Sequence, residues 1–223
     1  MEFYIPSTLA SDFNTFLQTP ICPSLGKIRN WGATPQVAET IKAEISNMDF
    51  KSKISNSDNA VVCRVSKTAD LKKGDMLYDS TKGIYYLCTW NVFEEVNCKK
   101  TQLQICNTSI TIKRYVPETV NDTTGIVITA ASWSSIVTSM RCWISRTGYY
   151  DFETKNATPG TITNNKMVVN FQANSTTLGF KIGDEFDYFS NRHQVVDIEY
   201  NDLNVDGTSG LIILYAEKKV GGV

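Results

Sequence analysis

A Gly-Asp pair leading into two apolar, strand-like runs occurs twice in this chain, 109 residues apart. The first copy is Gly74-Asp75-Met76-Leu77-Tyr78, a turn, then Tyr85-Tyr86-Leu87-Cys88-Thr89. The second is Gly183-Asp184-Glu185-Phe186-Asp187, a turn, then Gln194-Val195-Val196-Asp197-Ile198. The copies superpose without a gap, with Leu77 on Phe186, Tyr86 on Val195 and Leu87 on Val196. Glycine reaches positive φ at little steric cost, and an Asp carboxylate bonds back to nearby backbone. Each copy therefore predicts a β-hairpin entered through a tight turn. Gly-Asp before a strand is also common by itself, so a duplicated module and two independent turns both stand at this point. Either one makes the chain largely β and points away from an enzyme.

Strand-like patterning begins near residue 59. Ala60–Val65, the first Gly-Asp hairpin, Gln102–Asn107 and Ser109–Arg114 give a set the size of a small barrel. In the last of these runs Ile110 and Ile112 alternate with Thr111 and Lys113, the period of a half-buried strand. Pro117 to Gly125 is polar, opens with Pro and ends with Gly, and predicts a linker. Beyond it, Ile126–Ala130, Met140–Arg146, Lys166–Phe171, the second hairpin and Leu211–Lys218 predict a second β-sandwich or barrel.

Residues 1–55 read differently. Leu9, Phe13, Phe16 and Leu17 share one face of a short helix, capped by Ser7 and stopped by Pro20 and Pro23. Val37, Ile41 and Ile45 are spaced by four after Pro35 and predict a second helix. The fold class expected is mainly β. An N-terminal arm with short helices spans 1–58, a small barrel 59–116, a linker 117–125 and a second β-domain 126–223.

Composition narrows the function classes. The 22 basic and 23 acidic residues leave a net charge of −1, with no basic face for gripping a double helix. The start, Met1-Glu2-Phe3-Tyr4-Ile5-Pro6, lacks the basic segment and apolar run of a secretion signal. Six cysteines without a CxxC pair, four of them (Cys63, Cys88, Cys106 and Cys142) in apolar strand-like runs, then predict reduced thiols made in a cytoplasm. A single histidine, His193, makes an ordinary zinc site improbable. No apolar run approaches the roughly 20 residues of a membrane helix.

Chemistry is sparse. His193 is expected at the solvated tip of the second hairpin, a poor place for a general base. Asn201–Gly207 has part of a calcium-loop pattern, but strands flank it and no closing Glu follows, so an Asx-rich turn is expected. Glu94 and Glu95 are adjacent and point apart in an extended chain. No catalytic, cofactor-binding or metal-binding residues are assigned and no cofactor is expected. Trp133 and Trp143 read as core or edge of the second domain, and Trp90 as packed under the first barrel. Tyr149 and Tyr150 open a long loop to Asn165 that carries Pro159-Gly160, and read as an exposed pair.

The run Leu71–Tyr78, with Tyr85–Trp90 and Thr101–Asn107, resembles the neck proteins of tailed bacteriophages of Gram-positive hosts. Lys181–Phe186, Val196–Ile198, Gly210–Leu214 and Lys218–Gly222 share the likeness, which covers about half the chain and is one of style rather than of a diagnostic motif. Residues 1–55 carry none of it. The resemblance implies a virion structural protein, a six- or twelvefold ring between portal and tail. Such a ring retains packaged double-stranded DNA and passes it on at ejection without specific binding. It would be made in the host cytoplasm and used in the neck or tail of the virion. A ring of this kind needs two different subunit surfaces. Phe3, Tyr4, Ile5, Phe13 and Phe16 are expected to dock on a neighbour or the portal, and the loop from Tyr149 and Tyr150 to Asn165 to face a partner or the DNA channel. The alternatives are a tail terminator or baseplate component, and a carbohydrate-binding β-module of a host-recognition device.

Overall fold

The computed structural model of the chain describes residues 8–30, 36–47, 60–146, 166–200 and 202–219. A short helix, α1 (Thr8–Leu17), leads into β1 (Ser24–Asn30), β2 (Gln36–Asn47), β3 (Ala60–Val65), β4 (Met76–Asp79), β5 (Ile84–Cys88), β6 (Phe93–Glu94) and β7 (Lys99–Ile105). All neighbours pair antiparallel in the ring order β1-β2-β3-β7-β5-β4, closed by β1 on β4, with the two-residue β6 on the flank of β7. The second half holds β8 (Thr108–Val116), β9 (Thr119–Val120), β10 (Val127–Thr129), β11 (Ser132–Arg146), β12 (Lys166–Gln172), β13 (Glu185–Tyr188), β14 (Asn191–Glu199) and β15 (Leu211–Lys218). Six of these strands close a second barrel in the order β8-β11-β12-β15-β14-β13.

The two rings are the same ring. In chain order each barrel contributes strands a to f, arranged a-b-c-f-e-d, so the duplication extends well beyond the hairpin. The pairing registers align the interiors. Leu25 corresponds to Ile110, Ile41 to Met140, Ala43 to Cys142, Cys63 to Val169, Val65 to Phe171 and Leu77 to Phe186. All twelve side chains are buried in their own barrel core. Strand alternation produces this: in β3, Val61, Cys63 and Val65 point in while Val62 and Arg64 point out.

The Gly-Asp turns are superimposable in hydrogen bonding. Gly74 and Gly183 have φ of +87° and +94°, the left-handed region that favours glycine. In the first, the Asp75 carboxylate accepts from Lys72 N at 2.7 Å, and Gly74 N donates to Cys88 O at 2.7 Å. In the second, Asp184 accepts from Lys181 N at 2.9 Å, and Gly183 N donates to Val195 O at 2.8 Å. Cys88 thus corresponds to Val195, and Tyr86 to His193. The gapless superposition expected from sequence is corrected by two residues. The first hairpin turns through 80–83, the second through Phe189-Ser190 alone, both at positive φ.

Three further expectations are overturned. The described part of the stretch 35–45, residues 36–45, is not a helix but part of β2, and residues 24–30 and 36–47 belong to the first barrel rather than to an arm. A spacing of four satisfies a period of two as well, and Ala43 completes the inward set with Ile41 and Ile45. β8 belongs to the second barrel, so the connection between barrels is only Cys106-Asn107. Residues 117–125 are no linker: they form most of a β9–β10 hairpin that extends β8 and β11 beyond the barrel, with Asn121 N donating to Ile126 O at 2.8 Å.

The barrels are held together by more than their connection. Ile28, Met76 and Leu87 on the outside of the first barrel cluster with Leu211 of the second, all buried. Full burial of such side chains contributes roughly 1.5–3 kcal/mol each, against one short tether. Gln172 donates to Ile28 O at 2.8 Å, Asn204 to Lys73 O at 3.1 Å, and Lys73 pairs with Asp202 at 2.6 Å.

Candidate interface on the second barrel

The outer face of strands a, d and e is the apolar joint in the first barrel. In the second barrel the same positions are polar, four of them charged: Ile28 becomes Lys113, Met76 becomes Glu185, Tyr78 becomes Asp187, Tyr85 becomes Arg192 and Leu87 becomes the neutral Gln194. Outward alternation along β13 places Glu185 and Asp187 side by side. Lys113, Glu185, Asp187 and Arg192, with Phe186 and with Trp133 from β11, line a cleft of about 120 Å³.

Its electrostatics are organised around Glu185. That side chain is only 5% exposed, and Lys219 Nζ pairs with its Oε1 at 2.6 Å. Arg192 Nε stands 3.6 Å from Oε2, too far for a hydrogen bond, so Oε2 is buried without a hydrogen-bonding partner. Lys113 reaches Asp187 at 3.8 Å, a half-exposed pair of small energetic weight. The Arg192 guanidinium lies 5.7 Å from the centre of the Trp133 ring, and Tyr115 meets that ring edge-on at 5.4 Å. Beside the cleft, Arg114 holds Asp184 bidentately at 2.7 and 2.8 Å, and that hydrogen bonding raises the Arg114 pKa.

An apolar edge adjoins this charged face. Val116 at the end of β8 and Val120, Ile126, Val127 and Ile128 on the β9–β10 extension are all exposed, as is Trp133 at its base. At the d–e tip, Phe189 is 77% exposed with φ of +46°, a conformation that costs a bulky residue energy. These exposed apolar side chains make the edge a candidate contact surface.

The residues singled out from sequence fall elsewhere. Phe3, Tyr4, Ile5, Tyr149 and Tyr150 lie outside the described residues. Phe13 and Phe16 sit on α1 with ring centres 6.3 Å apart; Phe16 is exposed, Phe13 half-buried, and Leu17 anchors the helix. His193 is not at the hairpin tip: it is buried in β14, stacked on Phe186 at 5.5 Å and meeting Tyr188 edge-on. Its Nδ1 donates to Asn191 O at 3.0 Å, which sets the tautomer. Trp90, expected packed under the first barrel, is exposed, and so is Trp133, expected at the core or edge of the second domain.

The run at 202–209 is the Asx turn expected. Asp206 accepts from Thr208 N and Ser209 N, both at 2.8 Å, and from Ser209 Oγ at 2.6 Å. These bonds, with the serine hydroxyl foremost, hold its pKa down at about 2. Among the described residues no cluster of three His, Cys, Asp or Glu could hold a metal, and no helix is long and apolar enough to cross a membrane. The six cysteines are free thiols.

Residues 119–217 match the family described as the YomX C-terminal domain. The match starts at β9 and takes in five of the six strands of the second barrel, β11 to β15. That family is phage-derived, which supports a phage-associated protein. No curated protein and no solved structure matches the chain.

Proposed function

We propose that this chain is a structural component of a phage particle: a neck protein that assembles as a six- or twelvefold ring between portal and tail. There it helps retain packaged double-stranded DNA and passes it on at ejection. The observation that carries the reading is the β9–β10 extension, an addition to the second barrel with no counterpart between β1 and β2. In the first barrel only residues 31–35 join those strands. A duplicated barrel supplies a stiff body, and the extension supplies an apolar grip outside it. The phage association of residues 119–217 supports the setting. A near-neutral chain suits a wall past which DNA slides without being gripped.

The same features suit a tail terminator or baseplate component, which differs in position rather than in physics. They suit a glycan-binding module less well. On the charged face, the ring that such a site would stack on, Trp133, lies under Arg192. A scaffold role without catalysis is part of the proposal. Negative-stain microscopy of the purified protein, alone and mixed with the portal, tests it: rings that join portal are expected, and dispersed particles indifferent to portal would contradict it.

A further inference from the structure

We infer that copies of this chain join head to tail by repeating, between chains, the contact that joins its own two barrels: loop 89–98 of one copy seats on the Gly183 turn and charged face of the next. This rests on the reading of the protein as a self-assembling structural component.

Within the chain, the first barrel's Gly-Asp turn and a-d-e face receive the loop that leads into the last strand of the second barrel. Gly74 meets Gly210 so closely that a Cβ there would lie 1.9 Å from the Gly210 carbonyl oxygen. Lys73 pairs with Asp202 in that loop, and Leu211 fills the apolar cluster behind it. The fold therefore already uses one of its surfaces to receive another.

Duplication leaves one unused copy of each partner surface. On the second barrel, a Cβ built on Gly183 meets nothing within 4 Å. Ile182, the residue equivalent to Lys73, is 66% exposed. On the first barrel, the loop equivalent to 200–210 presents Trp90, Phe93 and Val96, each more than half exposed, beside exposed Glu94 and Glu95.

The substitutions on the two open surfaces match each other. Where the internal joint pairs Lys73 with Asp202, the open turn offers Ile182 and the open loop offers Trp90, Phe93 and Val96, so an ion pair is exchanged for an apolar contact. Where the internal joint is apolar, the open face carries Lys113, Arg192 and Lys219 among Glu185, Asp187 and Glu217, so charged side chains replace the apolar cluster. Glu94 on the loop brings a carboxylate to the lysine and arginine of this face, while Glu95 is held by Lys100 at 3.2 Å. Because the two surfaces differ, the contact is heterologous, and its repetition gives a ring if the rotation closes.

The test is site-directed cross-linking of the full-length chain. Ile182→Cys and Phe93→Cys replace exposed residues, so neither disturbs a core. Mixed and oxidised, the two single variants should give a disulfide-linked dimer that neither gives alone and that the unaltered protein, with its own six thiols, does not give. As a second arm, Ile182→Asp should weaken self-association measured by light scattering by about tenfold or more, with an unchanged circular dichroism spectrum. Absence of the mixed cross-link, or an Ile182→Asp protein that associates like the parent, would overturn the inference. Antibody labelling of particles decides the structural reading separately. A chain found in particles but without the cross-link keeps that reading and loses this contact. A chain absent from particles loses the reading, while the cross-link still decides the contact.

Discussion

Gly74 and Gly210, one in each barrel, approach so closely that neither tolerates a side chain. A Cβ on Gly74 would sit 1.9 Å from the carbonyl oxygen of Gly210, and one on Gly210 2.5 Å from Asp202 O. Both have positive φ, +87° and +121°. Gly183 shares the φ of Gly74 but has open space around it. Gly183→Ala should therefore cost only the backbone strain, about 1–2 kcal/mol. Gly74→Ala adds a clash at the joint and should cost about 2–5 kcal/mol. Urea denaturation of both variants checks the ordering, and equal losses would mean the joint is loose.

Arg114 neutralises an Asp184 carboxylate that is almost wholly buried. Arg114→Ala leaves that charge without its bidentate partner and should lower stability by about 2–4 kcal/mol. Arg114→Lys should recover only part of the loss, since an ammonium cannot reproduce both hydrogen bonds. Chemical denaturation midpoints of the three proteins decide this.

His193 acts as an aromatic core residue. Its counterpart in the first barrel is Tyr86, also buried. His193→Ala should cost about 2–4 kcal/mol through the cavity and the lost stacking on Phe186, while His193→Phe should be tolerated far better. A variant that folds normally yet fails to assemble would show that the imidazole does more than pack.

Tyr215 contributes to the chain's loss of stability at alkaline pH. Burial, together with its 2.8 Å hydrogen bond to Glu199, pushes its pKa up to about 12 from the usual 10. The folded state therefore holds the phenolic proton that the unfolded state releases first. This group's contribution is whole below pH 10 and lost as pH rises from 10 to 12. Denaturation midpoints across that window should fall more steeply for the parent than for Tyr215→Phe; identical slopes would refute the assignment.

The Phe189-Ser190 turn invites stabilisation. Two-residue hairpin turns with both φ positive favour Asn-Gly, so that replacement should raise stability by about 1 kcal/mol. Phe189 is the most exposed aromatic side chain described. If it serves as a contact, the same variant should assemble less well, separating fold from function in one measurement.

What could be read from the chain follows from which patterns are unambiguous. The Gly-Asp turns were legible because glycine at positive φ and an Asp bonding back leave a fixed local signature. β3 and β8 were legible because their alternation admits only one period. β2 was not, because Val37, Ile41 and Ile45 fit both helix and strand, and only pairing with β1 and β3 decides between them. The tip of the second hairpin was misplaced because Phe189-Ser190 carries none of the usual turn residues, and this moved His193 from core to solvent. The charged cleft was hidden for a further reason. Lys113, Trp133, Glu185, Asp187 and Arg192 come from four strands, and only closure of the barrel brings them to one face. Its only trace in the sequence was the pair of carboxylates two residues apart in the second Gly-Asp copy.

Removing the apolar grip should leave the body intact. Ile126→Ser with Ile128→Ser changes two exposed positions, so stability should stay within about 0.5 kcal/mol of the parent. Ring formation and joining to the portal should both fall, and unchanged assembly would place the grip elsewhere.

Gold-labelled antibody against this chain, applied to purified phage particles and viewed by electron microscopy, tests the central claim most directly. The account predicts label at the head-to-tail junction, with quantitative mass spectrometry giving six or twelve copies per particle. Particles free of the protein would contradict it.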